Sequence, residues 1–110
     1  MQINSAPYTG IDWDEVPITK HAGESGFVYR RTCETGNVRL RLAEYSPGYK
    51  AEHWCCRGHV IHLLDGEIIY KFKDGSEIKL AKGMSCCFSD SQEIPHKSST
   101  RNGAFLLIVD

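Results

Sequence analysis

Long apolar runs, blocks of like charge and helical periodicity are all missing from this sequence. The longest apolar stretches, such as Phe105–Val109, are far too short to cross a bilayer as a helix. Net charge is −1, with both signs scattered along the chain. No basic block points to nucleic acid and no acidic tail to a charged partner. Met1-Gln2-Ile3-Asn4-Ser5 lacks a basic region followed by an apolar stretch, so no secretory signal is expected. No window places apolar residues at helical spacing over three turns, and no repeat or low-complexity segment occurs. The expectation is a cytoplasmic protein with neither a membrane nor a nucleic-acid partner.

Cysteine is present but in a pattern that argues against disulfides. The five are Cys33, Cys55, Cys56, Cys86 and Cys87, an odd count with two neighbouring pairs. Neighbouring cysteines rarely bridge, because the geometry is strained. Free thiols in a reducing compartment are the better reading. Most then serve as small apolar fillers, and one remains open as a ligand.

What the chain does have is short β-rich runs separated by turn residues. At 110 residues it has the length of one domain able to bury a core without disulfides. Residues 1–15, with Pro7, Gly10 and Asp12-Trp13-Asp14-Glu15, read as an irregular arm pinned by Trp13. Strands are expected over Val16–His21, Gly26–Glu34, Val38–Ser46, Ala51–Cys55, His59–Leu64, Glu67–Lys73, Ser76–Ala81, Met84–Phe88, Ile94–Ser98 and Ala104–Val109. Asp74-Gly75 is a strong two-residue hairpin signal. About ten short strands with hairpin connections predict an all-β barrel or sandwich.

Alternation assigns the faces. Val38, Leu40 and Leu42 share one face of their strand and make the better core face. That leaves Arg39 and Arg41 in solvent; on the opposite assignment, a guanidinium would line the barrel and clamp a carboxylate. Tyr45 shares the arginine face and is expected to be within reach of the barrel mouth. Ile68, Tyr70 and Phe72 read as core. In His59–Leu64 both faces are largely apolar, which predicts a second packing layer such as another subunit. A homodimer is therefore expected.

The segment from Gly48 to Gly66 carries the chemistry. His53 and Cys55 are two apart on an extended segment and are expected to point the same way. His59 opens the next strand, and His96 follows Pro95 on a later one. Imidazole and thiolate donors suit zinc, iron, nickel or copper, and suit magnesium or calcium poorly. Trp54 lies between two candidate ligands and is expected to point away, as an anchor against the arm or a partner subunit. His62 should point away from His59, to the surface or an interface. His21 reads as structural and Cys56 as outward. At most one of Cys86 and Cys87 faces inward, for packing.

These residues resemble the two motifs of the cupin family. Gly48, His53 and Gly66 match the first motif; Cys55 stands where its second histidine belongs and His59 where its glutamate belongs. Gly83 and His96 resemble the ends of the second motif, with Ser89-Asp90-Ser91 in place of its proline–glycine turn. The resemblance covers residues 36–109. It is nearest to a subgroup of small cupins named for an Asp-His-Cys-Trp (DHCW) set, with Glu52 here in place of the aspartate. It implies a single jelly-roll barrel, a double-stranded β-helix, over residues 1–110. It also implies a divalent transition metal on an inward cluster of His53, Cys55, His59 and His96. A three-histidine set resembles the ferrous site of small cupin thiol dioxygenases. With Cys55 added, a four-ligand zinc site would be closed and structural. Three functional readings stay open: a metal-dependent oxygenase, isomerase or lyase on a small polar molecule; a non-catalytic binding or sensing module; and a barrel with a structural metal.

Overall fold

The computed structural model describes residues 2–4, 8–91 and 93–110. Met1, Ser5 and Pro7 of the N-terminal reading, and Gln92 of the loop before His96, lie outside the described residues. The β-rich runs form eight strands: β1 (Thr19–Ala22), β2 (Phe27–Thr35), β3 (Val38–Tyr45), β4 (His59–Phe72), β5 (Glu77–Ala81), β6 (Ser85–Phe88), β7 (His96–Ser99) and β8 (Ala104–Val109). All pair antiparallel. The chain is all-β, as expected, with one short 3-10 turn at Trp13–Glu15 among the described residues.

Strand β4 organises the molecule. Its first half lies between β8 and β6, in the sheet that continues through β3 and β2 to β1. Its second half lies between β5 and β7 in the other sheet. The crossing is at Leu64–Gly66, where the register with β8 shifts between Leu63 and Asp65. Gly66 makes it possible. Its φ is +80°, and a Cβ there would meet the Gly103 carbonyl oxygen at 2.2 Å. The expected break at Asp65-Gly66 is thus a bend inside one strand, because β8 and β5 continue the hydrogen bonding on either side of it.

Three further expectations are corrected. The first strand begins at Thr19 rather than Val16. Ala51–Cys55 is not a strand: Lys50 and Cys55 make only isolated bridges. The strand path runs from β1 to β5 without closing, so the jelly roll is two sheets sharing one core rather than a sealed barrel.

That core draws from both sheets. Ile61, Leu63 and Leu106 come from one, Ile68, Tyr70 and Leu80 from the other, and all are buried. Burying these side chains supplies the main driving force for folding. The arm is pinned near Trp13 as expected, but through backbone: the Arg31 guanidinium donates to the carbonyls of Trp13 and Val16.

Val38 is buried as expected, but beyond it the face assignment of β3 is reversed. Ala43 and Tyr45 are buried and face the core with Arg41, whose side chain is only 12% exposed. Leu40 and Leu42 lie on the outer face, half-buried. The interior is polar at this end because it lines a cavity, so apolar content alone picked the wrong side.

Candidate metal centre

Three donors converge at one end of the interior. His59 opens β4 and His96 opens β7. Cys55 is held opposite His96 by two backbone hydrogen bonds, Cys55 N–H to the His96 carbonyl at 2.8 Å and His96 N–H to the Cys55 carbonyl at 3.0 Å. Residues that exchange both bonds stand side by side, with side chains on the same face. Ligand atoms of Cys55, His59 and His96 all lie within 4.8 Å of one another. The His59 and His96 Nε2 atoms are 3.0 Å apart.

Local packing fixes the rings. Phe88 stacks on His96 with centroids 4.3 Å apart and meets His59 edge-on at 5.7 Å. Tyr70 meets His96 edge-on at 5.8 Å. Gly58, before His59, lets the Ser89–Asp90 backbone approach closely; a Cβ there would lie 2.6 Å from the Phe88 carbonyl oxygen. Burial lowers the pKa of His96. His59 falls to about 4, chiefly through burial, with help from His96 and Arg41 and opposition from Asp110. Both rings are therefore neutral at pH 7, the form that binds metal.

His53 is not brought into this cluster. Its side chain is 86% exposed and lies 3.6 Å from Glu52. The chain bends at Glu52 and His53, so the two-residue parity expected with Cys55 is lost. His62 does point away, bonded to Ser85 Oγ at 2.7 Å, and His21 bonds Thr19 Oγ1 at 2.9 Å. Cys56 and Cys87 are exposed, while Cys86 packs on the core. Trp54 takes the amines of Lys73 and Lys97 over its ring, at 5.5 and 5.0 Å.

A charged layer behind the cluster was not foreseen. Asp110, only 4% exposed, binds Arg39 through two bonds and lies 3.3 Å from Arg41 and 3.7 Å from His59 Nδ1. The last separation is too long for a hydrogen bond, and Nδ1 is a buried nitrogen without a partner. Alternation offered the missed signal: Ala104, Leu106 and Ile108 are buried, and Asp110 continues that face.

In front of the cluster is a cavity of about 230 Å³. Arg30, Arg41, Tyr45 and Tyr49 line it beside the three donors, and Glu52 and His53 stand at its rim. Burial pushes Tyr45 up to about 12 and also raises Tyr49.

Solved structures place this architecture. An RmlC-like cupin from Shewanella frigidimarina is 15% identical at a TM-score of 0.73, over 96% of this chain and 91% of that one. The fold is a cupin fold. A sugar phosphate isomerase of the cupin superfamily from Silicibacter pomeroyi is 15% identical, TM-score 0.70, over 92% of this chain and 74% of its own. The iron(II) form of HppE is 18% identical, TM-score 0.70, over 90% and 57%. No protein-family model and no curated protein matches the sequence.

Proposed function

We propose that this cupin holds one divalent transition metal (zinc, iron, nickel or copper) on Cys55, His59 and His96, and acts on a small molecule in the adjoining cavity. The convergence of the Cys55, His59 and His96 donor atoms within 4.8 Å of one another carries the reading, with the two imidazole Nε2 atoms in hydrogen-bond contact at 3.0 Å. Nitrogens bound about 2.1 Å from one ion stand roughly 3.0 Å apart at right angles and roughly 3.4 Å apart at tetrahedral angles. The donor set suits a borderline-soft ion. The iron(II) form of a structural neighbour adds support at the level of the fold.

Three protein ligands leave a coordination position open, as in catalytic rather than structural centres. His53, first expected among the ligands, serves in this reading at the cavity rim. A bound ion would supply Lewis-acid polarisation or, if redox-active, dioxygen chemistry. The protein's share is to hold both histidines neutral, exclude water with Phe88 and Tyr70, and orient the molecule. This makes an oxygenase, isomerase or lyase the preferred class. A non-catalytic binding module is the second reading. It is favoured by the cavity lining, where Glu52, the one carboxylate among the described residues, has a 61% exposed side chain at the rim.

The reading also takes residues 1–110 as one domain in a reducing compartment, consistent with five free thiols. It takes the protein as a homodimer through the outer face of β4.

Metal analysis of tag-free protein tests the centre. Near-stoichiometric metal is expected in wild type and His53→Ala, and its loss in Cys55→Ala and His96→Ala. Unchanged metal in His96→Ala would end the proposal.

A further inference from the structure

We propose that Arg30 and Arg41 form a subsite for the oxyanion group, carboxylate or phosphate, of the small molecule that occupies the cavity. This names the ligand class for the metal centre proposed above and rests on that reading only for where the remainder of the molecule lies.

Both arginines sit on the inner face of the β2–β3 pair. Arg30 is directly opposite Ala43, and Arg41 is the next inward residue along β3. They are thus diagonal neighbours, close enough for long side chains to meet. The small Ala43 between them leaves room, and both line the same cavity as Cys55, His59 and His96.

Their hydrogen bonding is incomplete. The Nε atoms of Arg30 and Arg41 are both buried without an acceptor. A buried donor with no acceptor is destabilising, and native interiors rarely leave one without a purpose. Arg30 has no ion pair among the described residues. Arg41 must share Asp110 with Arg39, which takes both carboxylate oxygens at 2.9 and 2.8 Å, and with Arg57 at 3.6 Å. The neighbouring phenols cannot act as counter-ions, since burial keeps Tyr45 and Tyr49 protonated. Lys97 also lines the cavity, but its amine lies over Trp54.

The cavity lining therefore carries excess positive charge, Arg30, Arg41 and Lys97 against Glu52, and the Arg30 guanidinium has no acceptor among the described residues. A planar fork of donors matches an oxyanion, and partial burial strengthens the pairing. About 230 Å³ admits a small molecule.

The test uses zinc-loaded protein titrated with inorganic phosphate and with acetate, read by calorimetry and by the arginine Nε–H resonances. One anion is expected to bind and to shift the Arg30 and Arg41 signals; the tighter probe identifies the headgroup. Arg30→Gln should weaken binding roughly tenfold or more, while the cobalt(II)–thiolate absorption of the same variant stays intact. Arg30 makes no side-chain bond within the described fold, and Arg30→Lys gives a second variant that keeps the charge but loses the fork. Equal affinity in both variants and wild type overturns the subsite, as does failure of both anions to bind. Binding that vanishes on chelation and ignores Arg30 makes the anion a metal ligand and also overturns it. Arg30-dependent binding in a protein that takes up no metal sustains the subsite and ends the metal reading.

Discussion

Arg39 and Asp110 form a two-bonded ion pair, Nε to Oδ1 at 2.9 Å and Nη2 to Oδ2 at 2.8 Å, behind the histidine cluster. Their backbones also exchange both hydrogen bonds, which extends the β3–β8 ladder by one residue beyond Val109. The pair fixes the carboxylate behind His59, where it faces a buried nitrogen.

The first prediction concerns that carboxylate. Burial opposes the Asp110 charge, but the Arg39 bonds and the Arg41 and Arg39 charges outweigh it and hold the pKa at about 2. A depressed carboxyl contributes stability above its unfolded pKa of 3.8 and loses it as pH falls through about 2. Asp110→Asn leaves buried guanidinium unpaired and should cost about 3 kcal/mol at pH 7. Urea unfolding at several pH values checks this: the difference from wild type should shrink below pH 4 and approach zero near pH 2.

Metal-free protein should show a second acid transition with a different origin. His59 titrates at about 4 when folded and near 6.5 when unfolded, so the unfolded chain takes up the proton first. Stability is complete above pH 6.5, falls as pH drops toward 4 and is flat below. The shift is worth on the order of 3 kcal/mol, and His96 adds to it in the same direction. His59→Gln should flatten most of the slope between pH 6.5 and 4. A slope equal to wild type in that variant would assign the transition elsewhere.

How much of this was legible without the structure varies by residue. Turn glycines and alternation located the strands, and His59 against His62 came out on the correct sides because β4 is regular there. His53 failed because parity arguments hold only in extended chain, and the backbone bends at residues 52 and 53. Arg41 failed for a different reason. A strand wall that lines a polar cavity carries charge inward and leucine outward, which inverts the usual rule. Asp110 was within reach of alternation, but its partner Arg39 is 71 residues away, and only the register of β3 with β8 joins them.

Gly66 tests the strand crossing. It combines a φ of +80° with a backbone oxygen where its Cβ would stand, whereas Gly75, at φ +92°, has open space around it. Gly75→Ala should cost only the conformational term, about 1 kcal/mol. Gly66→Ala must also displace the Gly103 carbonyl and with it the junction of β8 and β5, so a loss of roughly 3 kcal/mol or more is expected. Thermal unfolding of the two variants side by side would refute this if their losses were equal.

The last prediction is the assembly. On the outer face, Val60 pairs with Val109, and Val109 with Leu40; His62 pairs with Leu107, and Leu107 with Leu42. Apart from His62, these rows form an apolar stripe across three central strands, where Val60 is 41% and Leu64 38% exposed. A stripe of this kind on a central part of a sheet favours burial against a matching surface, and a two-fold pair would bury the same patch twice. Sedimentation should therefore show a dimer at micromolar concentration, and Val60→Glu with Leu64→Glu should give monomer with its metal content unchanged. Both residues point away from the cavity, so loss of metal together with loss of the dimer would mean that the interface supports the centre, and a wild-type monomer would remove the dimer altogether.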